Sequence, residues 1–321
     1  MVDDSSTDSS RDIAQRYVEA HDNFNLFCLE KNCGPGSARN IGARHAHGQY
    51  LAFFDADDWC DNVGLAQLKD VIKQHNYPDI LLTGYSKYDD GRYLKNFKYH
   101  DNYIGIHSGV AAVELRLQKI ICPSPWNKLY KTSYWQRNKL SWPALRHSED
   151  FASILEFLAA AETVLITNRS YYCYNINPFS LTMILGVDKI DKVMAALEYL
   201  RSQSKSFDQL NMIENIDNKL NRLCYAHVRH FLRINADTIT RDALSDLITR
   251  MMQFNLHYAV PFSFFMKEFD GYKLLILLRK IQSRRKLAID ILQNYTVTQR
   301  LRINAFLMSP IKLGAWKKPR K

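Results

Sequence analysis

Two patterns of hydrophobic and polar positions divide this chain. Up to about residue 182, short apolar runs bounded by turn residues alternate with amphipathic stretches. Tyr50 to Phe54 is aromatic or aliphatic at every position, which suits a buried strand better than an amphipathic helix. Leu26 to Leu29 predicts another strand, followed by a Gly-Pro-Gly turn and a helix, and a further helix is expected from about Ser9. Phe151 to Ala161 is an apolar helical run. Beyond residue 182 the pattern becomes helical. Ile190, Val193, Met194, Leu197 and Leu200 fall on one helix face, and Ile213, Ile216, Leu220, Leu223 and Phe231 on another.

The apolar run from Tyr50 ends in a burst of carboxylates. Strand spacing would place Asp55 and Asp57 on one face and Asp58 on the other. Carboxylates this close repel one another unless something neutralises them. A divalent cation, Mg²⁺ or Mn²⁺, does so while keeping water and phosphate among its ligands. The plainer alternative is a polar strand end running into an Asp-rich turn. The glycine turn is not a dinucleotide fingerprint, because Gly34 and Gly36 would require a third glycine where Arg39 stands. No GxxxxGK[ST] phosphate loop occurs in the chain.

Three segments agree in order and spacing: Val2 to Asp8, Lys31 to Gly42, and Ala46 to Asp58. They carry Asp3, Asp4, Asn32, Gly34, Ala38, Arg39, Asn40, Gly42, Gly48, Tyr50, Phe53, Asp55, Asp57 and Asp58 in register. This order resembles the nucleotide-binding half of family 2 glycosyltransferases, an inverting class with the GT-A fold. Ser5 departs from the pattern where glycine is usual. The resemblance implies an α/β, Rossmann-like mixed sheet. It also implies nucleotide-sugar contacts from Asp3, Asp4, Arg39 and Asp55, and a cation at Asp55 and Asp57. An ordinary surface role is the alternative for Arg39.

Further along, Pro123 to Lys131 and Arg146 to Asp150 resemble the family's acceptor-side segment and its Glu-Asp motif. That likeness makes Asp150 the general base, with Trp126, Lys128 and Glu149 on the acceptor or diphosphate side. The structural alternative is helix capping, since Ser148 followed by two acids suits a helix start. Trp126 is equally suited to a core position, and His147, standing alone, to a surface or packing one. Residues 171–182 resemble the family's closing segment, so residues 1–185 are expected to form the catalytic domain and 186–321 a helical region. In the family a strand and helix precede the Val2-Asp3-Asp4 motif. The likeness therefore implies that roughly thirty residues are absent and that the strand at Leu26 to Leu29 lacks its neighbour.

Composition narrows the partners. The six cysteines form no C-x-x-C pair, so neither a zinc site nor a disulfide framework is indicated, and a reducing cytoplasm is expected. The start shows no signal-peptide pattern, and Leu274 to Leu278 is the longest fully aliphatic run, far short of a membrane span. Residues 272–321 hold 13 Lys or Arg against the single acid Asp290, a net of +12 in a chain of +10. Such a basic amphipathic tail predicts peripheral attachment to an anionic membrane surface at the inner face of the cell membrane. A packed helix with a solvated basic face is the alternative, and nothing marks a nucleic-acid module. The function that the resemblance implies is transfer of a hexosyl or N-acetylhexosaminyl group from a nucleotide sugar, UDP-linked in most of the family, to a surface polysaccharide or lipid-linked glycan, such as a capsule or lipopolysaccharide. A non-catalytic remnant acting through membrane or partner association is the alternative.

Overall fold

The computed structural model describes residues 1–145, 147–177 and 189–204, together with 213, 216, 219, 220, 223 and 224. The expected basic tail and the domain boundary at residue 185 lie outside the described residues. Contacts group Met1–Ala226 into one compact unit and His227–Lys321 into a second.

In chain order the elements are β1 (Val2–Asp3), α1 (Ser10–Ala20), β2 (Phe27–Cys28), α2 (Pro35–His45), β3 (Tyr50–Ala52) and β4 (Trp59–Cys60). Then follow α3 (Asn62–Gln74), β5 (Ile80–Asp89), β6 (Arg92–Phe97), β7 (Gly105–His107) and α4 (Gly109–Leu117). The unit continues with β8 (Lys128–Lys131), α5 (Thr132–Arg137), α6 (Glu149–Ala159), β9 (Val164–Ile176) and α7 (Lys189–Ser204). The main sheet runs β3-β8-β5-β9-β4, with β6 added to β5 and β7 to β9. It is mixed: β5 and β9 are parallel, while β8 is antiparallel to both β3 and β5. This is the α/β architecture expected.

The long strands follow from their sequence. Ile80, Leu81 and Leu82 at the start of β5 are fully buried, as a strand covered on both faces requires. Helix α6 buries Phe151, Ala152, Ile154, Leu155, Phe157 and Leu158, and packs against α4 and α7. On α7, Val193, Met194, Leu197 and Leu200 are buried, the face that periodicity selects. Tyr199 at the margin donates to Glu156 Oε2 at 3.3 Å.

Two expectations about strands are corrected. The strand near Leu26 does have a partner: β2 pairs in parallel with β1, Val2 opposite Phe27 and Asp3 opposite Cys28. These two form a small sheet of their own, and β3 joins the main sheet through β8. The strand at Tyr50 also stops earlier than its apolar run. It ends at Ala52, and Asp58 N–H donates to Asp55 C=O at 3.2 Å, closing a turn. Asp55 and Asp57 therefore share a turn, not a strand face, because four residues bent by a backbone hydrogen bond lose the period of two.

Candidate functional site

Helix α2 is the hinge of the site, and its own start is set by Asp4. That carboxylate accepts from Cys33 N–H at 2.7 Å and Gly34 N–H at 2.8 Å, while Asn32 Nδ2 donates to Asp4 C=O at 3.2 Å. Gly34, the N-cap, has φ 87°, a left-handed conformation that glycine adopts without a Cβ clash. Next door, Asp3 is buried and accepts from Arg11 Nε at 3.2 Å and Ser6 N–H at 3.3 Å. The hydrogen bond from Ser6, ahead of the nearby Arg11, holds its carboxyl below the usual range. Ser5 has φ 63°, so a glycine would be relaxed where this serine is strained.

From the second turn of α2, Arg39 reaches both acidic motifs. Its Nη2 lies 3.0 Å from Asp55 Oδ1 and its Nη1 2.5 Å from Glu149 Oε1. The guanidinium also sits 5.4 Å from the centre of the Trp142 ring. Burial disfavours its charge, but the Asp55 and Glu149 carboxylates outweigh that and raise its pKa. The following residue, Asn40, locks the same neighbour: its Nδ2 donates to Trp142 C=O and its Oδ1 accepts from Trp142 N–H, both at 2.8 Å. The approach is close enough that a Cβ at Gly36 would stand 2.8 Å from Pro143 O and 3.3 Å from Glu149 Cγ.

The three acids of the turn have different environments. Asp57 is exposed, with Oδ2 accepting from Asn177 Nδ2 at 3.0 Å. Asp58 turns back to β9, accepting from Tyr172 Oη at 2.5 Å and Asn175 N–H at 2.7 Å. Burial raises its pKa to about 6, against the pull of those hydrogen bonds. Tyr172 Oη in turn accepts from Asp55 N–H at 3.2 Å, so one phenol ties two points of the turn to the sheet.

On the other side, Glu149 and Asp150 open α6. Glu149 is buried, and burial followed by repulsion from Asp150 raises its pKa although Arg39 opposes this. Ser148 holds the N-cap position with φ 59° and its hydroxyl makes no cap; it meets His147 Nδ1 at 2.6 Å instead. The serine cap, the alternative reading of this segment, is therefore not formed, and Ser148 stands in the left-handed region. Asp150 is half-buried and accepts from Phe151 N–H at 2.6 Å.

Lys128 is placed differently from expectation. It is fully buried, donating to Cys122 O at 2.9 Å, Ser124 O at 2.6 Å and Asn127 Oδ1 at 2.8 Å. Burial lowers its pKa to about 8. A cation so enclosed fixes the loop before β8 and presents nothing to a diphosphate. Trp126, on that loop, is half-buried and lies nearly parallel to Tyr172 and Tyr174, with ring centres 4.6 and 5.4 Å away.

Sequence reading missed Tyr172, Asn177 and Trp142. None stands in a spacing pattern with the acids it serves, so only tertiary contact reveals them. Among the described residues no group of three or more His, Cys, Asp or Glu is arranged to hold a metal. Cys28, Cys33, Cys60, Cys122 and Cys173 are free thiols. No described helix is long and apolar enough to cross a membrane.

Residues 1–137 match the family model for glycosyl transferase family 2. Glycosyltransferase GlyA of Streptococcus pneumoniae is 27% identical over 193 residues, covering 57% of this chain and 27% of that protein. A poly(ribitol-phosphate) beta-glucosyltransferase of Bacillus spizizenii is 27% identical over 209 residues, covering 64% of this chain and 32% of its own. The chain thus spans about a third or less of the length of these two relatives. The crystal structure of S. aureus TarS 1-349 in complex with UDP-GlcNAc superposes with TM-score 0.59 at 19% identity, over 94% of this chain and 82% of that one. At that identity the likeness establishes the fold, which is GT-A.

Proposed function

We propose that this protein, whose residues 1–137 match the glycosyl transferase family 2 model, transfers a sugar from a nucleotide-sugar donor to a glycan acceptor, with inversion at the anomeric carbon. One observation carries the reading. The guanidinium of Arg39 ties Asp55 of the acidic turn to Glu149, the neighbour of Asp150. Carboxylates of the two acidic motifs, 94 positions apart in the chain, are thereby held on one guanidinium.

In this reading Asp55 and the loop around Asp3 and Asp4 receive the nucleotide. A UDP sugar is the favoured donor, since the TarS structures were obtained with UDP and with UDP-GlcNAc. Asp150 accepts the proton of the acceptor hydroxyl as that oxygen bonds to the anomeric carbon, and the bond from that carbon to the diphosphate breaks. Glu149, held by Arg39, orients the helix start that carries Asp150. A Mg²⁺ or Mn²⁺ bound through one or two carboxylates, with the donor phosphates as further ligands, needs no three-acid cage. Asp57, exposed and lightly tethered, and Asp55 would hold it. When bound, such an ion offsets charge gathering on the departing diphosphate. Acceptors of the named relatives include poly(ribitol-phosphate), which makes a surface polymer the favoured acceptor class. The basic residues 272–321 would keep the enzyme at an anionic membrane surface, close to a lipid-linked or surface glycan.

Replacing Asp150 by Asn is the direct test. Turnover of a UDP sugar should fall by ~10²-fold or more while the donor dissociation constant stays within a factor of about two. Equal losses of turnover and of folding stability would assign Asp150 to capping alone.

A further inference from the structure

Beyond the acidic turn, one face of the sheet carries an aromatic floor that ends in two lysines. Tyr172 and Tyr174 alternate along β9, and their partners across the ladder are Tyr85 and Lys87 on β5. On the far side of β5, Phe97 stands opposite Tyr85 and Lys95 opposite Lys87. Paired residues share a face, so these six side chains occupy one surface. The rings are in contact: Tyr85 stacks on Phe97 at 4.9 Å, and Trp126 meets Tyr85 edge-on at 4.7 Å while lying parallel to Tyr172 and Tyr174. The floor starts at the site itself. Tyr172 donates to Asp58, and the charges of Asp58, Asp57 and Asp55, after burial, help raise the Tyr174 phenol pKa.

The lysine end is electrostatically unfavourable as it stands. Like charges directly opposite on neighbouring strands destabilise the pair. Lys87 Nζ lies 5.8 Å from the centre of the Tyr174 ring, and among the described residues no carboxylate pairs with either lysine. A bulge between Lys87 and Tyr88 keeps Lys95, not Leu94, opposite Lys87. Two cations with no paired carboxylate among the described residues, at the edge of a half-buried aromatic surface, form a receptor for a ligand with both a ring face and an anion. Sugar rings present C–H faces that pack on aromatic rings, and a phosphodiester or carboxylate supplies the negative charge.

We propose that the surface formed by Trp126, Tyr174, Tyr85, Lys87 and Lys95 is the subsite for an anionic glycan acceptor. The sugar rings lie on the aromatic floor and an acidic substituent lies between the two lysines. This rests on the transferase reading, to which it adds the charge of the acceptor and the strands that read it. Trp126 is held for this role from behind, because the buried Lys128 pins the loop on which it stands.

The test uses the full 321-residue chain and three polymers with one backbone: neutral dextran, dextran phosphate and carboxymethyl dextran. Binding is read by intrinsic tryptophan fluorescence, with UDP affinity measured in parallel. At least one charged dextran should bind ~10-fold or more tightly than neutral dextran, and the stronger of the two identifies phosphate or carboxylate as the recognised group. The double variant Lys87→Gln, Lys95→Gln should lose ~10-fold or more of that affinity, as expected when two charge-assisted contacts go. It should keep its UDP affinity. Because the variant retains residues 272–321, binding by the basic tail alone would leave its dextran affinity unchanged, and that result would overturn the proposal. So would neutral dextran binding as well as both charged forms. Failure of the transferase reading shows separately, as absent UDP binding in the unaltered chain.

Discussion

Replacing Arg39 by Met removes a buried cation from between two acids and leaves its stem in place. The two partners will not respond alike. Asp55 has 35% of its side chain exposed, so water can take over much of its solvation, whereas Glu149 has only 8%. Removing one partner of a buried ion pair typically costs ~3–5 kcal/mol, and most of that loss should come from Glu149. The pH dependence follows with its sign. Glu149 already titrates above its ordinary value of 4.5 in the folded chain, burial being the main cause. A carboxyl with a raised folded pKa favours folding at low pH and loses that contribution as pH rises from the unfolded value through the folded one. Without Arg39 the folded pKa climbs further. The deficit of Arg39→Met should therefore be small at pH 4 and grow steadily towards pH 7. Adding Glu149→Gln should restore more than half of the loss at pH 7. The assay is urea denaturation followed by tryptophan fluorescence, since Trp142 packs against the Arg39 guanidinium and Trp135 against Trp142. A deficit below ~1 kcal/mol, the range of exposed pairs, or one independent of pH, would show that the Arg39 contacts are not a buried clamp.

Three other outcomes are expected. Asp57→Ala should abolish sugar transfer with the fold intact, as circular dichroism would report; activity that persists and resists EDTA removes the cation from Asp57. In the unaltered chain, the raised Asp58 pKa of about 6 should make stability decline as pH rises from about 4 to beyond 6. Asp58→Asn should flatten that part of the stability profile, and an unchanged profile would deny Asp58 this role. If residues 272–321 dock on membranes, the chain should bind vesicles containing acidic lipids and release as salt rises. Comparable salt-sensitive binding to duplex DNA would favour a nucleic-acid partner instead, and binding to neither leaves a solvated tail.

Much of the fold is legible locally. The buried face of α6 and the stripe of Val193, Met194, Leu197 and Leu200 on α7 follow from periodicity, because burying one face is what makes such elements stable. The order of the acidic and glycine motifs also resembles that of glycosyl transferase family 2, whose model matches residues 1–137. What the sequence could not determine is where each polar side chain finds its partner. Asp55 and Asp57 read as strand neighbours, yet one long-range anchor, Tyr172 on β9, fixes the turn that holds them. Lys128 reads as a ligand-facing cation, but the loop folds over it and offers three oxygens that water would otherwise provide. Arg39 reads as a nucleotide contact and is found bridging residues 16 and 110 positions away. Periodicity reports which side of an element is apolar, a property of neighbours in the chain. The pairing of charges depends on which elements meet and how deeply they are buried, so the tertiary structure decided the chemistry of the site.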